Sequence, residues 1–318
     1  MKKIADLLTL VAAFTVAAHA VPALAAPTKV WVAKGGTDSA SCGAITAPCR
    51  TFQRAHDNIA AGGAISVLTP GDYAPVIIAK PVFITNDGAG EAGIIAASQE
   101  ARAITINASA GDIVGLRGLV LDGANTGQMG IEVVAVGALH VQNCVVRNFQ
   151  SVGNLVGAVG IEFAPITASK LFVSDTLVVN NGQDANGGIH ISAQHGGTHA
   201  VLNRVRVESN VTGIAIGDAT VVIRDSVISG NAGSGIDKAS AGNGIDNASG
   251  YVFIKKSALV GNDQYGLVSG PNATTLVSGT TITRNGQGIN NGVVSYVDNE
   301  IDNNIGSDGA PTGFFAPR

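Results

Sequence analysis

From Gly130 to Gly306 the chain alternates short apolar runs with small polar turns, and one phrase keeps returning. A glycine is followed by an isoleucine or leucine at Gly130-Ile131, Gly160-Ile161, Gly188-Ile189, Gly213-Ile214, Gly244-Ile245, Gly266-Leu267 and Gly288-Ile289. After each comes a Val/Ile-rich segment, a small polar pair, a second apolar run and then asparagine. Leu171 to Gly182 and Leu276 to Gly286 spell out the unit most fully. Successive marks lie 22 to 31 residues apart, the last two intervals being 22. Self-similarity on that scale marks a solenoid.

The residue types decide which solenoid. Leucine is too scarce for a leucine-rich repeat. Gly, Asn and β-branched residues crowd a region where helical repeats would need good helix formers. Apolar runs of two to five residues between Gly/Asn turns fit three short strands per coil. Each coil then climbs one strand spacing, about 4.8 Å. Parallel crossovers are right-handed in nearly all cases. The fold expected is all-β, a right-handed parallel β-helix.

Asn148, Asn181, Asn210, Asn231, Asn262, Asn285 and Asn304 are expected to share one corner of successive coils. Asparagine tolerates the left-handed backbone of a tight turn, and stacked Asn side chains can bond as a ladder.

The ends of the chain break the repeat. Lys2, Lys3 and the apolar run Leu7 to Ala18 read as an export signal, too short to span a bilayer, with Ala23-Leu24-Ala25 as its cleavage site. Residues 1–25 are therefore assigned to a signal peptide. Residues 26–64 form an N-terminal cap, with a strand at Lys29 to Ala33 and a helix over Arg50 to Ala61 that gathers Phe52, Ala55 and Ile59 on one face. An open β-helix end exposes its core and unpaired backbone, so a covering helix answers a physical need. Coils occupy 65–307, beginning at Ile65 to Val67, and residues 308–318 make a tail in which Phe314 and Phe315 fold over the last coil or fray.

Composition adds modest constraints. The chain carries 19 basic and 23 acidic residues, a net charge of −4. Loss of the signal would leave about −5. No basic stripe points to nucleic acid, and no later stretch is long and apolar enough for a membrane helix. Cys42 and Cys49 lie in one Ser/Gly/Pro loop, and an exported context favours their pairing as a disulfide. Cys144 occupies the slot that Thr176, Ser226, Ser257 and Thr280 hold in other coils, and reads as a buried thiol.

On Gly71-Asp72-Tyr73, the alternating Val76/Ile78 and Val82/Ile84 strands, the cap helix and units such as Asn143 to Asn148, the chain resembles the pectin-lyase-like right-handed β-helices, most closely their uncharacterised exported bacterial members. The resemblance implies the fold and a carbohydrate ligand; the superfamily includes polysaccharide lyases, hydrolases, esterases and epimerases as well as adhesins that bind. It implies no particular chemistry. The Asn-x-Asp, Asp-Asp, Gly-His-Gly and Arg-x-Lys set of polygalacturonase-type hydrolases has no counterpart beyond Gln194-His195-Gly196 and Ile254-Lys255-Lys256. The Arg-x-Pro-x-x-Arg motif of calcium-dependent pectate lyases and the Gly-Asp-Gln-Asp segment of methylesterases are missing too.

Strand alternation supplies one constellation of its own. If each Gly-Ile isoleucine points inward, the next residue points out. That outward slot reads Glu132, Glu162, His190, Ala215, Asp246 or Asp237, Val268, Asn290. Two acids and a histidine on adjacent rungs match the roughly 5 Å carboxylate spacing of retaining glycosidases. Repulsion between such neighbours would raise one pKa and separate an acid from a base. Insertions at Gln150–Val159, Ala164–Ser169 and Gly182–Gly187 border these rungs as cleft walls.

His190, His195 and His199 offer zinc-type ligands and Asp237, Asp246 and Asp263 calcium-type oxygens. One histidine falls on a strand and the others in a Gly-rich turn, so no cofactor or metal is assigned, with calcium kept as the alternative. Aromatics are only 4% of the chain, with Tyr73, Tyr251, Tyr265 and Tyr296 expected at the surface. The expectation is an exported protein, periplasmic or extracellular, that binds a polysaccharide or cell-surface glycan along its side face. The alternative is a polysaccharide lyase or glycoside hydrolase with Glu132 and Glu162 as acid and base and His190 assisting.

Overall fold

A computed structural model describes residues 25–150, 157–182, 187–192, 197–231, 245–290 and 292–316, with the side chains of 245–249 and 271 outside that description. The export signal, Gln194-His195-Gly196, Asp237 and the side chain of Asp246 therefore lie outside the described residues, as do parts of the Gln150–Val159 and Gly182–Gly187 insertions.

Each coil presents three strands in succession. In one coil these are Met129–Ala135, Ala138–Gln142 and Val145–Arg147, and the next begins at Val159–Phe163. Like strands stack in parallel register: Ile131 faces Ile161, Leu139 faces Leu171, and Val146 faces Val178. The stacks make three walls. The third wall is a separate ten-stranded sheet among the described residues. The first and second walls share one sheet, because Ile245–Lys255 and Tyr265–Ser278 run through the corner between them. The structure is the expected parallel β-helix.

The core follows from alternation. Ile131, Ile161, Ile189 and Ile214 of the first wall are 0 to 1% exposed, as are Leu139, Leu171 and Leu202 of the second. The glycine before each isoleucine has a steric reason. A Cβ at Gly130 would lie 2.4 Å from the Gly160 carbonyl, at Gly160 2.7 Å from that of Gly188, and at Gly188 2.4 Å from that of Gly213. These three glycines let the backbone of the next rung approach, and the repeat is written into the sequence there by that contact.

Corners are closed by two ladders. In the first, the backbone N–H of Asn181 donates to Oδ1 of Asn210, and the pattern repeats from Asn210 to Asn231, Asn262, Asn285 and Asn304. Each buried side chain also passes its amide to the next Oδ1, for instance Asn231 Nδ2 to Asn262 at 2.8 Å. At the end of the run Asp308 Oδ1 takes the place of the next asparagine, accepting from both Asn304 N and Nδ2.

Asn148 does not belong to this ladder. It sits one position earlier, at φ 59°, beside Asn180, and Phe149 takes the ladder slot by donating its N–H to Asn181. The left-handed bend falls on the residue before the ladder asparagine, so asparagine serves two adjacent columns by different physics.

In the second ladder, side-chain oxygens of Thr176, Ser226, Ser257 and Thr280 accept a backbone N–H from the preceding coil. Cys144 stands in that column as expected. Its Sγ lies 3.3 Å from the Gln142 carbonyl, and burial pushes the thiol up to about 11.

At the N-terminal end, Cys42 and Cys49 form a disulfide. The helix is shorter than its apolar spacing predicts, Phe52–Asn58. Thr51 caps it through its hydroxyl, and Ile59 is already extended. Phe52, Ala55 and Ile59 are buried as the spacing requires. Lys29–Val32 pairs in parallel with Gly63–Val67, so the stack starts one rung before Ile65. Tyr73, expected at the surface, is fully buried; its ring lies 4.9 Å from Phe52 and its hydroxyl donates to the Thr69 carbonyl. At the other end Gly313–Phe315 neither covers the core nor frays. It adds a strand beside Val293–Tyr296, leaving Phe314 and Phe315 exposed.

Candidate functional site

The outward column of the first wall is assembled as the alternation requires. Glu132 is the direct rung partner of Glu162, Glu162 of His190, His190 of Ala215, and Ala215 of Asp246. Thr105 precedes Glu132 in the same column. Register alone thus brings together residues separated by dozens of positions in the chain.

Within the column the two carboxylates turn apart. Glu132 reaches back to the preceding rung, where Arg102 Nε lies 2.7 Å from its Oε2, an ion pair not aligned as a hydrogen bond, and the Thr105 hydroxyl lies at 3.4 Å. Glu162 reaches forward, its two oxygens 2.8 and 2.9 Å from Nδ1 of His190. Each acid has its own basic partner. What the rungs hold is an Arg–Glu pair beside a Glu–His dyad. A Nδ1–H donated to Glu162 leaves Nε2 of the ring as the acceptor, and His190 keeps a quarter of its side chain exposed. That is the geometry of a base oriented by a carboxylate.

Of the three candidate histidines, His195 lies outside the described residues, and the other two stand on different walls. His199 lies on the second wall, paired with Lys170 and Thr220, whereas His190 is on the first. Among the described residues the one cluster with metal-ligand spacing is Asp38, Cys42 and Cys49, and both sulfurs there are consumed by the disulfide. Asp263 is exposed, and of its two proposed calcium partners Asp237 and the side chain of Asp246 fall outside the description. Of the arginines on other strands, Arg147 pairs with Asp122, Arg204 with Asp175 and Arg206 with Glu208.

The second wall carries a feature that sequence reasoning missed. Its central outward column runs Phe83, Gly115, His140, Phe172, Val201, Val222, Phe253, Leu276, Val294. Apart from Gly115 and His140, these positions carry apolar side chains where a solvated wall would be polar. His140 and Phe172 stack at 4.7 Å with their planes 14° apart, and burial there holds the His140 pKa below its ordinary value. Phe83 is 41% exposed and Tyr251 42%. Phe253, Tyr296 and Phe315 continue the aromatic surface, with successive ring centroids 6.3 and 5.6 Å apart. Lys170, Arg224 and Lys255 border the stripe and form no ion pair among the described residues.

The signal for this stripe was present in the strands themselves. Leu171-Phe172-Val173 and Val252-Phe253-Ile254 each hold three consecutive apolar residues. Alternation forces the middle one outward.

No family profile matches the chain, and no curated protein is similar to it. Solved structures do match. A pectate lyase, Pel9A, superposes with a TM-score of 0.62 at 17% identity, over 92% of this chain and 79% of the other. A rhamnogalacturonan lyase superposes with a TM-score of 0.55 at 13% identity, over 82% of each. At such identities the likeness concerns the fold, and the chain has the pectin-lyase-like parallel β-helix.

Proposed function

We propose that this chain is an exported protein that binds a polysaccharide along its second wall. The observation that carries the reading is the outward aromatic and apolar column around the stacked His140 and Phe172. Sugar rings have faces made of C–H groups, and these pack on flat π surfaces with little loss of entropy on either side. Outward-facing side chains on a stacked sheet repeat at about 4.8 Å, giving a rigid, periodic track suited to a polymer. A largely apolar and aromatic stripe on a wall that faces water marks an interaction surface. The basic border of Lys170, Arg224 and Lys255 favours a glycan carrying negative charge. The two structural neighbours are by name lyases of pectate and of rhamnogalacturonan, in keeping with a carbohydrate ligand. The disulfide supports an oxidising location, and no helix among the described residues is long and apolar enough to cross a membrane.

A second reading, catalysis on the first wall, draws on the contact between Glu162 and His190. In it His190 moves a proton at the substrate through Nε2, Glu162 holds the ring, and Glu132 acts with Arg102 beside it.

Both readings meet one experiment. The protein lacking residues 1–25 is titrated with neutral and uronate polysaccharides by affinity electrophoresis, and the mixtures are assayed for new reducing ends and unsaturated products. Retardation that Phe172→Ala weakens and Glu162→Gln leaves intact, without product, is the expected result. Product formation abolished by Glu162→Gln or Glu132→Gln would establish catalysis instead. No retardation by any polymer would remove the binding reading.

A further inference from the structure

The third wall holds a concavity that neither reading uses. Near the N-terminal end lies a cavity of about 380 Å³ lined by Lys34, Pro70, Asp72, Gly93, Val120 and Arg147, among others. Ligand pockets of small molecules begin at roughly this size. We infer that this groove is a second ligand site that takes a single neutral sugar residue, independent of the second-wall stripe.

Gly93 is the main argument. It sits in the outward column between Asp72 and Val120, yet it is buried at the bottom of the groove. Unlike Gly130 or Gly188, the fold does not demand it. A Cβ there would meet nothing closer than the Gly71 carbonyl at 3.5 Å, an ordinary contact, and its backbone is not left-handed. A side chain would fit the strand and fill the groove. The glycine therefore keeps the groove open rather than holding the coil together.

The lining selects the occupant by its chemistry. Val120, Ile95 and Pro70 give apolar surface beside the bare Gly93 backbone, a seat for the C–H face of a pyranose. Around it stand acceptors and donors for hydroxyl groups. Asp72 uses Oδ1 for the N–H groups of Ala74 and Ile95. Glu91 and Lys34 are exposed, and neither side chain has a partner among the described residues. Arg147 donates Nε to Asp122 at 2.7 Å, leaving the rest of its guanidinium for a ligand. Burial acts to raise the Asp122 pKa, but hydrogen bonds from Ala124, Arg147 and Asn148 and the Arg147 charge hold it below the ordinary value. Asp122 is thus a fixed anion that neutralises Arg147. With both signs around the rim, a cationic ligand meets Lys34 and Arg147, and an anionic one meets Asp72 and Glu91. A neutral polyol pairs with all of them. Lys34 belongs to the cap segment, so the cap also supplies one side of this site.

The test is a titration of the isotope-labelled protein with the methyl glycosides of glucose, galactose, mannose and N-acetylglucosamine, alongside glucuronate and glucosamine. A saturable shift of the Gly93, Ile95 and Val120 amides with a neutral glycoside is expected. Gly93→Leu should abolish it, and Glu91→Ala, on the exposed rim, should weaken it roughly tenfold. Phe172→Ala on the other wall should leave it unchanged, so failure of the second-wall reading and failure of this one are distinguishable. Should Gly93→Leu not fold, Glu91→Ala and Lys34→Ala carry the comparison. No saturable shift with any of the neutral glycosides, or tighter binding of either charged sugar, would overturn the inference. So would binding that survives Gly93→Leu, or that neither rim variant weakens.

Discussion

Nδ1 of His190 lies 2.8 Å from one oxygen of Glu162 and 2.9 Å from the other, although the two residues are 28 positions apart. A carboxylate accepts and does not donate, so the ring carries its neutral-form proton on Nδ1. Long-range proton–nitrogen correlation in mildly alkaline solution should find the Nδ1–H tautomer in the native protein. In Glu162→Ala the common Nε2–H form should return. A native Nε2–H tautomer would mean the dyad is not formed, and the second reading would lose its geometry.

The asparagine ladder should behave as a load shared between rungs. Asn231 is fully buried, accepts from Asn210 and donates to Asn262 and to the Val207 carbonyl. Asn231→Ala strands these groups, and the expected cost is about 1–3 kcal/mol in urea denaturation. Asn148→Gly should cost less, because Asn148 is half-buried and at φ 59°, a conformation glycine adopts freely. Equal costs would show that the two columns are not physically different.

Glycine in the Gly-Ile mark is a steric requirement. Gly188→Ala would place a methyl 2.4 Å from the Gly213 carbonyl and 2.7 Å from a Val207 methyl. The coil must shift, and destabilisation of at least about 1–3 kcal/mol is expected. Gly93→Ala, whose methyl would make only ordinary contacts at 3.5 Å and beyond, should be close to neutral. Thermal unfolding of the two variants side by side checks the contrast.

The cap is expected to loosen in acid. His56 is buried, and its Nε2 accepts the Ala79 N–H at 3.2 Å, which only the neutral ring can do. Burial first, and the Lys80 charge second, hold its pKa below the ordinary value, against an opposing pull from Asp57. The unfolded histidine takes up its proton near pH 6.5, the folded one only at lower pH. Its contribution is therefore complete above about 6.5 and falls as pH drops toward the folded pKa. The denaturation midpoint should decline over that window in the native protein. His56→Gln retains an acceptor without a titrating group, so its decline should be smaller; an unchanged slope would assign the effect elsewhere.

How much of this was legible in the sequence depends on the period involved. The coil repeat, the inward isoleucines and the Glu132–Glu162–His190 column follow from alternation and from the recurring Gly-Ile mark, and the structure assembles all three. Where the side chains of that column turn does not follow from alternation. Arg102 and His190 draw the two acids in opposite directions, and neither contact is encoded in spacing. Asn148 lies at the expected corner but outside the ladder, because two adjacent columns there both use asparagine, for different reasons. Tyr73 was misplaced because the packing of the cap helix on the first coils is a tertiary contact with no repeat to betray it. Alternation turns the middle residue of each apolar triplet outward, but that these residues line one continuous column appears only once the strands are paired.

The central claim, that a polysaccharide lies along the second wall, is tested most directly by hydroxyl-radical footprinting of the protein with and without its bound polymer. The account predicts protection of His140, Phe172, Tyr251 and Phe253, with Val145 and Leu177 of the third wall unchanged. Protection centred on His190 of the first wall, or unaltered oxidation of the aromatic column while the polymer is bound, would contradict it.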